Sequence, residues 1–438
     1  MWDFSTDGEF EEQLEWMRRF VAEEVAPLEL LWPHDHHKVP PKWLKQVIDP
    51  LKDEVRRRGL WACHLGPELG GQGFGQVKLS LMNEILAPYQ WAPTIFGVQG
   101  PDTGNAEILA HYGTAEQKER YLQPLLDGEL FSAFSMTEPQ GGSDPTAFRC
   151  RAEPDGDGWV INGEKFFTSN SEEAAFLIVM AVTDPDAAPY RRMSTFLVPR
   201  NTPGIETVRR TQFMGEPEDA MDHALLRYND VRVPAESMLG EPGQGFEVAQ
   251  TRLSGGRIHH AMRAVGQARY AFDMACERVL SRSSRQSRLA DHQLVQQAIT
   301  DSYAQIEQFR LFVLRTAWMI DQGHGYSKEV RRDIAVAKVL SARVVHDVVE
   351  RAVHLHGALG VSNEMPFGGL WALVPAYGIW DGPTEVHTTT AARLILRDHE
   401  PAPGDYPTQW LPARMEVARA RYAGALAEQA AESGVVRP

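Results

Sequence analysis

Residues 133–144 read AFSMTEPQGGSD and lie where the chain changes from helical to β-rich sequence. The segment carries three hydroxyl side chains, those of Ser135, Thr137 and Ser143. Gly141 and Gly142 leave the backbone N–H groups around them accessible. Such donors suit a flat heteroaromatic ring with carbonyl groups and a nearby phosphate. A polar turn between two domains has the same composition, and composition alone favours that interpretation.

Residues 1–132, which precede this segment, have helical periodicity. Apolar side chains recur at steps of three and four residues, as in an amphipathic helix: Phe10, Leu14, Met17, Val21 and Val25. Thr114, followed three residues later by Gln117, is a capping-box pattern. The glycine-rich stretch 64–75 lacks the spacing of a nucleotide-binding loop, so we interpret it as an irregular loop. We predict an N-terminal helical domain over 1–132.

Residues 133–240 are short β-rich runs separated by turn signals. FRCRAE, PDGDG and WVINGEKFF, which together cover 148–167, are typical of a β-hairpin. Further runs of this kind follow up to about residue 234. So many short strands predict a middle β-barrel domain over 133–240.

Residues 241–400 return to helical periodicity. One face of a long helix holds Ile258, Met262, Val265, Phe272, Cys276 and Val279. Two more helices are predicted over 294–319 and 330–355, and together they indicate a C-terminal helical bundle. Residues 401–438 are predicted to be a linker and one C-terminal helix, with Leu411, Met415, Ala418, Tyr422 and Leu426 at helical steps. The fold class predicted is therefore mainly α with a central β domain.

Composition narrows the class of protein. The 438 residues contain 44 Lys and Arg against 59 Asp and Glu, a net charge of −15, which argues against nucleic acid or an anionic membrane as a partner. The three cysteines have no disulfide or metal spacing, which fits a reducing compartment. The acidic first residues do not resemble a secretory signal, and no apolar run has membrane-spanning length. We expect a cytoplasmic protein.

Histidines occur together at 34–37, 259–260 and 354–356. No carboxylate or cysteine partner has convincing metal-ligand spacing near them. We therefore expect surface or core histidines and no metal site.

Two segments resemble the flavin-binding strands of the acyl-CoA dehydrogenase family: FSMTEPQGGSD at 134–144 and NGEKFFTSN at 162–170. The resemblance continues over roughly residues 10–398 and implies FAD as cofactor. It places Phe167 beside the isoalloxazine and the Ser169 hydroxyl near flavin N5. The contacts that it implies within these two segments are those of Phe134, Met136, Thr137, Gly142, Ser143, Phe167 and Ser169, with Ser143 also near the substrate.

A second set of residues resembles positions that reach the FAD of a neighbouring subunit in that family. They are Arg282, Ser284 and Gln293, which follow the long helix, and His354, Gly357 and Ala358, which belong to a glycine-rich turn. A shared cofactor site implies a homodimer or a homotetramer.

The segment YGIWDGPTEVH at 377–387 resembles the family segment in which an acidic residue before glycine is the catalytic base. That residue is Asp381 here, where many members have Glu. The resemblance implies substrate contacts from Arg257, Trp380 and Gly382, and cofactor contacts from Pro383 and Glu385. From its place before a helix, Asp381 could equally act as a helix cap, and the two roles are compatible.

The reaction implied is FAD-dependent α,β-dehydrogenation of an acyl-CoA thioester, as in fatty acid β-oxidation, with electron-transfer flavoprotein as electron acceptor. The α-proton would go to Asp381 and the hydride to flavin N5. The thioester oxygen would lie between the Asp381 N–H and a ribityl hydroxyl, and water exclusion by substrate would raise the pKa of Asp381. Since Asp is shorter than Glu, we expect a restricted set of acyl groups.

Two alternatives remain at this point. Nitroalkane oxidases resemble the same family and also use Asp as base, so a flavin oxidase of this fold fits the motifs. A non-catalytic, DNA-associated homologue is the other, and both the net charge and the retained carboxylate count against it.

Overall fold

The computed structural model describes residues 4–36, 38–69, 71–214, 222–284, 287–324 and 327–433. The chain divides into two compact units, Met1–Ala391 and Ala392–Pro438. The candidate site lies wholly within the first unit.

Short helices form the N-terminal part of the first unit. Helix α1 begins where the Asp7 side chain accepts a hydrogen bond from the Phe10 N–H, with acidic residues in its first turn and basic ones in its last. The predicted stripe from Phe10 to Val25 is confirmed, because all five of its side chains are buried. The capping box of Thr114 and Gln117 is also present. The helices are α1 (Gly8–Phe20), α2 (Ala26–Leu31), α3 (Lys42–Arg57), α4 (Gly75–Leu86), α5 (Trp91–Ile95), α6 (Asp102–Tyr112), α7 (Ala115–Gln117) and α8 (Gln123–Leu126).

Eight strands follow in one sheet, in the order β6-β7-β3-β2-β4-β5-β8, with β1 paired to β4. The predicted hairpin is confirmed, because β2 and β3 are antiparallel neighbours joined by a tight turn. Strand β4 is buried along its whole length, which explains why its sequence is a continuous run of apolar residues. The strands are β1 (Ser132–Ser135), β2 (Arg151–Asp155), β3 (Gly158–Ser169), β4 (Phe176–Val182), β5 (Met193–Pro199), β6 (Ile205–Thr211), β7 (His223–Pro234) and β8 (Met238–Leu239).

Long helices return after the sheet. Helix α9 has 37 residues, and it packs against α4, α6, α10 and α11. One buried apolar cluster contains side chains of the N-terminal helices and of α9 to α12, so the two helical parts share a core. Two short strands at Ser283–Ser284 and Ser287–Arg288 pair between α9 and α10. The helices are α9 (Gly245–Ser281), α10 (Gln293–Met319), α11 (Lys328–His356), α12 (Phe367–Tyr377) and α13 (Thr384–Leu396).

The C-terminal tail differs from its prediction. One helix was expected, whereas the structure has two, α14 (Leu411–Arg421) and α15 (Ala423–Ser433). They are separate because Tyr422 leaves helical geometry, with φ −110° and ψ 25°. The apolar side chains at helical steps are exposed, including Leu411 and Met415.

The predicted fold class, mainly α with a central β domain, is confirmed. None of the helices in the described residues combines the length and the apolar character that a membrane crossing requires.

Candidate active site

Asp381 lies in a tight turn between α12 and α13. Its backbone has φ 55°, and the next residue, Gly382, has φ 103°. A side chain at Gly382 would place its Cβ 2.7 Å from His387 Nε2. The sequence therefore needs glycine at this position, and the turn presents Asp381 in one defined orientation.

Three helices fix the backbone of this turn. Lys338, on α11, donates hydrogen bonds from Nζ to the carbonyls of Tyr377 and Trp380, both at 2.8 Å. Arg257, on α9, donates from Nε to the Asp381 carbonyl at 3.1 Å. His387, on α13, donates from Nε2 to the same carbonyl at 3.2 Å. The turn is therefore rigid before any ligand arrives.

The Asp381 carboxylate is paired with a histidine. Its side chain is 18% exposed, and Oδ2 lies 3.2 Å from His260 Nε2. Burial alone would raise the pKa of Asp381. The hydrogen bond and charge of His260, with the charges of Arg252 and Lys338, outweigh burial and hold this pKa well below its usual range. The raised pKa of Asp381 is expected only in the substrate complex, and in the ligand-free site this pKa is lowered instead.

Cationic side chains surround this carboxylate. Arg252 Nε donates to Asn105 Oδ1 at 2.9 Å, and its guanidinium carbon lies 4.3 Å from the centre of the Phe134 ring. Burial lowers the pKa of Lys338 to about 8, although Asp381 raises it. Burial raises the pKa of Glu107 to about 7, with Arg252 opposing the rise. Positive groups thus surround the ionised Asp381 carboxylate, while the nearby Glu107 is more readily protonated than an ordinary glutamate.

The predicted flavin strand lies beside this turn. Ser169 Oγ is 2.7 Å from His223 Nδ1, and the His223 ring lies 4.0 Å from that of Phe213. Phe213 is in turn 6.4 Å from the ring of Trp380. A row of aromatic rings therefore connects the Ser169 hydroxyl with the Asp381 turn.

Phe167, on the same strand, has φ 53° and is 50% exposed. Its ring stacks on Phe166 at 4.0 Å. Large aromatic side chains are usually covered in a folded protein, so an aromatic face held outward by strained backbone is suited to a flat ligand.

A buried ion pair supports the loop with the TEPQGGSD sequence. Lys165 Nζ lies 2.9 Å from Glu138 Oε1, with the two side chains 0% and 2% exposed. Glu138 also accepts hydrogen bonds from the backbone N–H groups of Arg149 and Cys150. A Cβ at Gly142 would lie 2.7 Å from Thr137 Oγ1, so the loop closes over a position that glycine alone can occupy. Of the other predicted contacts, Phe134 and Met136 are partly buried and Ser143 is exposed.

The second predicted set lies at the ends of the long helices. Arg282 follows α9, and a Cβ at Gly357, after α11, would be 3.9 Å from Arg282 Nη1. The structure thus brings Arg282 and the glycine-rich turn together. Of the other residues in this set, Ser284 lies in the short strand after α9, Gln293 is the first residue of α10, and His354 and Ala358 lie at the end of α11 and just after it. In the segment that contains Asp381, Pro383 lies just before α13 and Glu385 in its first turn.

Four residues near the site were not predicted to contribute to it: Arg252, His260, Lys338 and His223. His260 was interpreted as a surface or core histidine, but it lies one helical turn after Arg257 and on the same side of α9 as that predicted residue. This spacing was the available signal. Lys338 and His223 come from distant parts of the sequence, and no local pattern indicates them.

Among the described residues, no group of three or more His, Cys, Asp and Glu side chains is arranged to hold a metal ion. His37, which belongs to the 34–37 group, lies outside the described residues.

Comparisons with known proteins match the chain in three successive parts: helical, β-rich and helical. Residues 7–129, 133–231 and 243–396 match the family models for the N-terminal, middle and C-terminal domains of acyl-CoA dehydrogenase. The chain is 42% identical to the probable acyl-CoA dehydrogenase FadE2 of Mycobacterium tuberculosis, over 82% of this chain and 87% of that protein. It is 36% identical to acyl-CoA dehydrogenase family member 11 of Gallus gallus, over 87% of this chain, and spans 50% of that longer relative.

A solved structure is also similar. Butyryl-CoA dehydrogenase from Megasphaera elsdenii superposes with a TM-score of 0.77 at 28% identity, covering 90% of this chain and 100% of that one.

Proposed function

The chain belongs to the acyl-CoA dehydrogenase family, and we propose that it oxidises an acyl-CoA thioester to the 2-enoyl-CoA with FAD as cofactor. One observation carries the proposal. Asp381, 18% exposed and held in a rigid turn, is joined through Trp380 and Phe213 to the strand that bears Ser169. The residue proposed as base and the strand proposed to bind flavin are therefore close together, which supports the proposal.

The described residues fit a bound flavin. Phe167 offers an exposed aromatic face, and the Trp380 Nε1 atom is buried without a hydrogen-bond partner among the described residues. Buried polar groups are normally paired, so an unpaired one beside a site is suited to a ligand. We propose that the cofactor contacts are Phe134, Met136, Thr137, Gly142, Ser143, Phe167, Ser169, Pro383 and Glu385. When bound, FAD would supply the acceptor for the hydride that leaves the β-carbon.

The role of Asp381 is to take the proton from the α-carbon. That proton is a very weak acid, so the charge that develops on the thioester oxygen must be stabilised. The Asp381 N–H can supply this stabilisation, because it donates to none of the described residues. Its peptide also contains the Trp380 carbonyl, which Lys338 holds at 2.8 Å. Lys338 therefore sets the direction in which this N–H points.

We propose that Trp380 and Gly382 contact the substrate beside the base. Trp380 packs against His260 at 5.4 Å between ring centres, so its ring is held in place beside the carboxylate. Gly382 follows the base directly, and a side chain there would collide with His387.

We also propose that the cofactor is shared between subunits of a homodimer or homotetramer, with Arg282, Ser284, Gln293, His354, Gly357 and Ala358 reaching the FAD of the neighbour. Electron-transfer flavoprotein is the proposed electron acceptor.

The proposal is tested by mixing the flavin-loaded protein, without oxygen, with straight, branched, ring-bearing and hydroxylated acyl-CoA thioesters. We expect at least one of them to bleach the oxidised-flavin absorbance, with formation of the enoyl thioester. If no thioester reduces the flavin, the proposed reaction is wrong. Admitting air then distinguishes two enzymes of one fold: a flavin that stays reduced for minutes indicates a dehydrogenase, and rapid reoxidation indicates an oxidase.

A further inference from the structure

Helix α9 holds Asp381 at two points. Arg257 binds its backbone carbonyl at 3.1 Å, and His260, one turn further along the helix, lies 3.2 Å from its Oδ2. The His260 ring also stacks on Trp380, with an interplanar angle of 30°. Both the ring and the carboxylate are therefore constrained, and the contact does not depend on a freely rotating side chain.

The charged groups around this pair come from three helices. They are Arg252, Arg257 and Arg263 on α9, Lys338 on α11, and His387 on α13. Burial lowers the pKa of His260, the contact with Asp381 raises it, and the charges of Arg263 and Lys338 lower it further. Whether the imidazole is charged or neutral, Nε2 must carry a proton, since the carboxylate oxygen that it faces can only accept.

The two oxygens of Asp381 are thus not equivalent. Oδ2 lies 3.2 Å from His260 Nε2 and forms an ion-pair contact with it, whereas no ion pair to Oδ1 is found among the described residues. A short side chain has few rotamers, so fixing one oxygen also fixes the direction of the other.

We infer that His260 is a positioning residue that holds Oδ2 and thereby assigns the proton transfer to Oδ1 of Asp381. The inference rests on the proposed function. In the step, the C–H bond at the α-carbon breaks, its proton bonds to Oδ1, and the electron pair stays with the substrate. His260 keeps its own proton throughout and acts through Asp381.

The test compares variants of the flavin-loaded protein. His260→Phe keeps a ring to stack on Trp380 but removes the donor, and His260→Gln restores a donor. His259→Phe, the same change one residue earlier, is the matched control. We expect the rate of anaerobic flavin reduction to fall about 10²-fold in His260→Phe. Recovery in His260→Gln, and little change in the control, complete the expected pattern.

The pH dependence gives a second readout. The contact with His260 lowers the pKa of Asp381, so its loss in His260→Phe should raise that pKa. The acid limb of the plot of flavin-reduction rate against pH should therefore move to higher pH. A purely structural role for His260 would lower the amount of folded protein without moving this limb. An unchanged limb together with an unchanged rate would overturn the inference.

A third measurement does not depend on turnover. We expect the losses of unfolding temperature in His260→Phe and Asp381→Asn to be clearly non-additive in the double variant. Additive losses would show that the two side chains do not interact, and would overturn the inference even if the enzyme is active. If no thioester reduces the wild-type flavin, the proposed function fails, and this comparison still decides whether His260 holds Asp381. Should His260→Phe not fold, the same comparison is made with His260→Ala, which also removes the donor: non-additive losses are again expected, and additive losses would again overturn the inference.

Discussion

At the scale of single residues, Asp381 is unusual because its neighbours stabilise its charged form. The pKa is lowered, so the contribution of this ionised group to stability is present above the ordinary value of 3.8 and is lost only as the pH falls through the lower folded value. The carboxylate is consequently ionised at neutral pH and ready to accept a proton. Substrate must raise its basicity by excluding water and by changing its contacts.

A buried ion pair gives a prediction at the same scale. Lys165→Met should lower the free energy of unfolding by about 3–5 kcal/mol, because Glu138, 2% exposed, would be left charged without its partner. Chemical denaturation measures this loss.

The matched control is an ion pair between the strand of Lys165 and its neighbour β7. Arg227 pairs with Glu164 at 2.9 Å, but these side chains are 40% and 37% exposed. Arg227→Met should therefore cost about 1 kcal/mol or less. Equal losses in the two variants would contradict the role given to burial.

At the scale of elements, Lys338 joins α11 to the turn after α12. Lys338→Met should lower the free energy of unfolding by a few kcal/mol, because it leaves the buried carbonyls of Tyr377 and Trp380 unpaired. It should also slow flavin reduction, since the Asp381 N–H loses its fixed direction. Lys45→Met, which changes an exposed lysine on α3, serves as control.

The pH dependence of this variant has a definite sign. The pKa of Lys338 is lowered from 10.5 to about 8, so between these values the unfolded chain binds more protons than the folded one. The stability of the wild type relative to Lys338→Met should therefore increase as the pH rises from 8 towards 10. A difference that stays constant over this interval would show that Lys338 is not buried in a charged state.

Sequence patterns predicted the elements of this fold well because they act locally. The stripe from Phe10 to Val25 and the capping box at Thr114 depend on residues one or two turns apart, and both are present. The C-terminal tail was predicted less well: Gly424 lies two residues after the break at Tyr422, but the apolar side chains continue at helical steps across it. The spacing of apolar residues therefore predicted one helix where the structure has two.

The site was predictable only where a family motif covers it. Asp381, Ser169 and Phe167 were indicated by their motifs, but the partners that hold them were not. His260, Lys338 and His223 reach the site through the packing of α9, α11 and β7. Contacts between elements far apart in sequence leave no periodic signal, so such residues emerge only from the folded structure.

At the scale of the whole molecule, the proposal that each FAD is bound by residues of two subunits can be tested. If Arg282 serves the FAD of a neighbour, a subunit with Asp381→Asn and a subunit with Arg282→Ala should complement each other. In a mixed dimer, one site would combine an intact Asp381 from one subunit with an intact Arg282 from the other.

The measurement is the rate of flavin reduction after the two inactive variants are unfolded, mixed and refolded together. We expect activity to return in the mixture, to a fraction of that of the wild type, while each variant refolded alone stays inactive. No recovery, with mixed dimers demonstrably formed, would mean that each subunit completes its own cofactor site.

The central claim is that Asp381 takes the α-proton of an acyl-CoA thioester in a flavin-containing site. The most direct measurement is anaerobic reduction of the bound flavin by the best thioester, compared between the wild type and Asp381→Asn at equal flavin content. We predict that the variant retains FAD and that its reduction rate falls by about 10²–10⁴-fold, the usual contribution of a general base. Reduction of the variant at nearly the wild-type rate would contradict the account and place the base elsewhere.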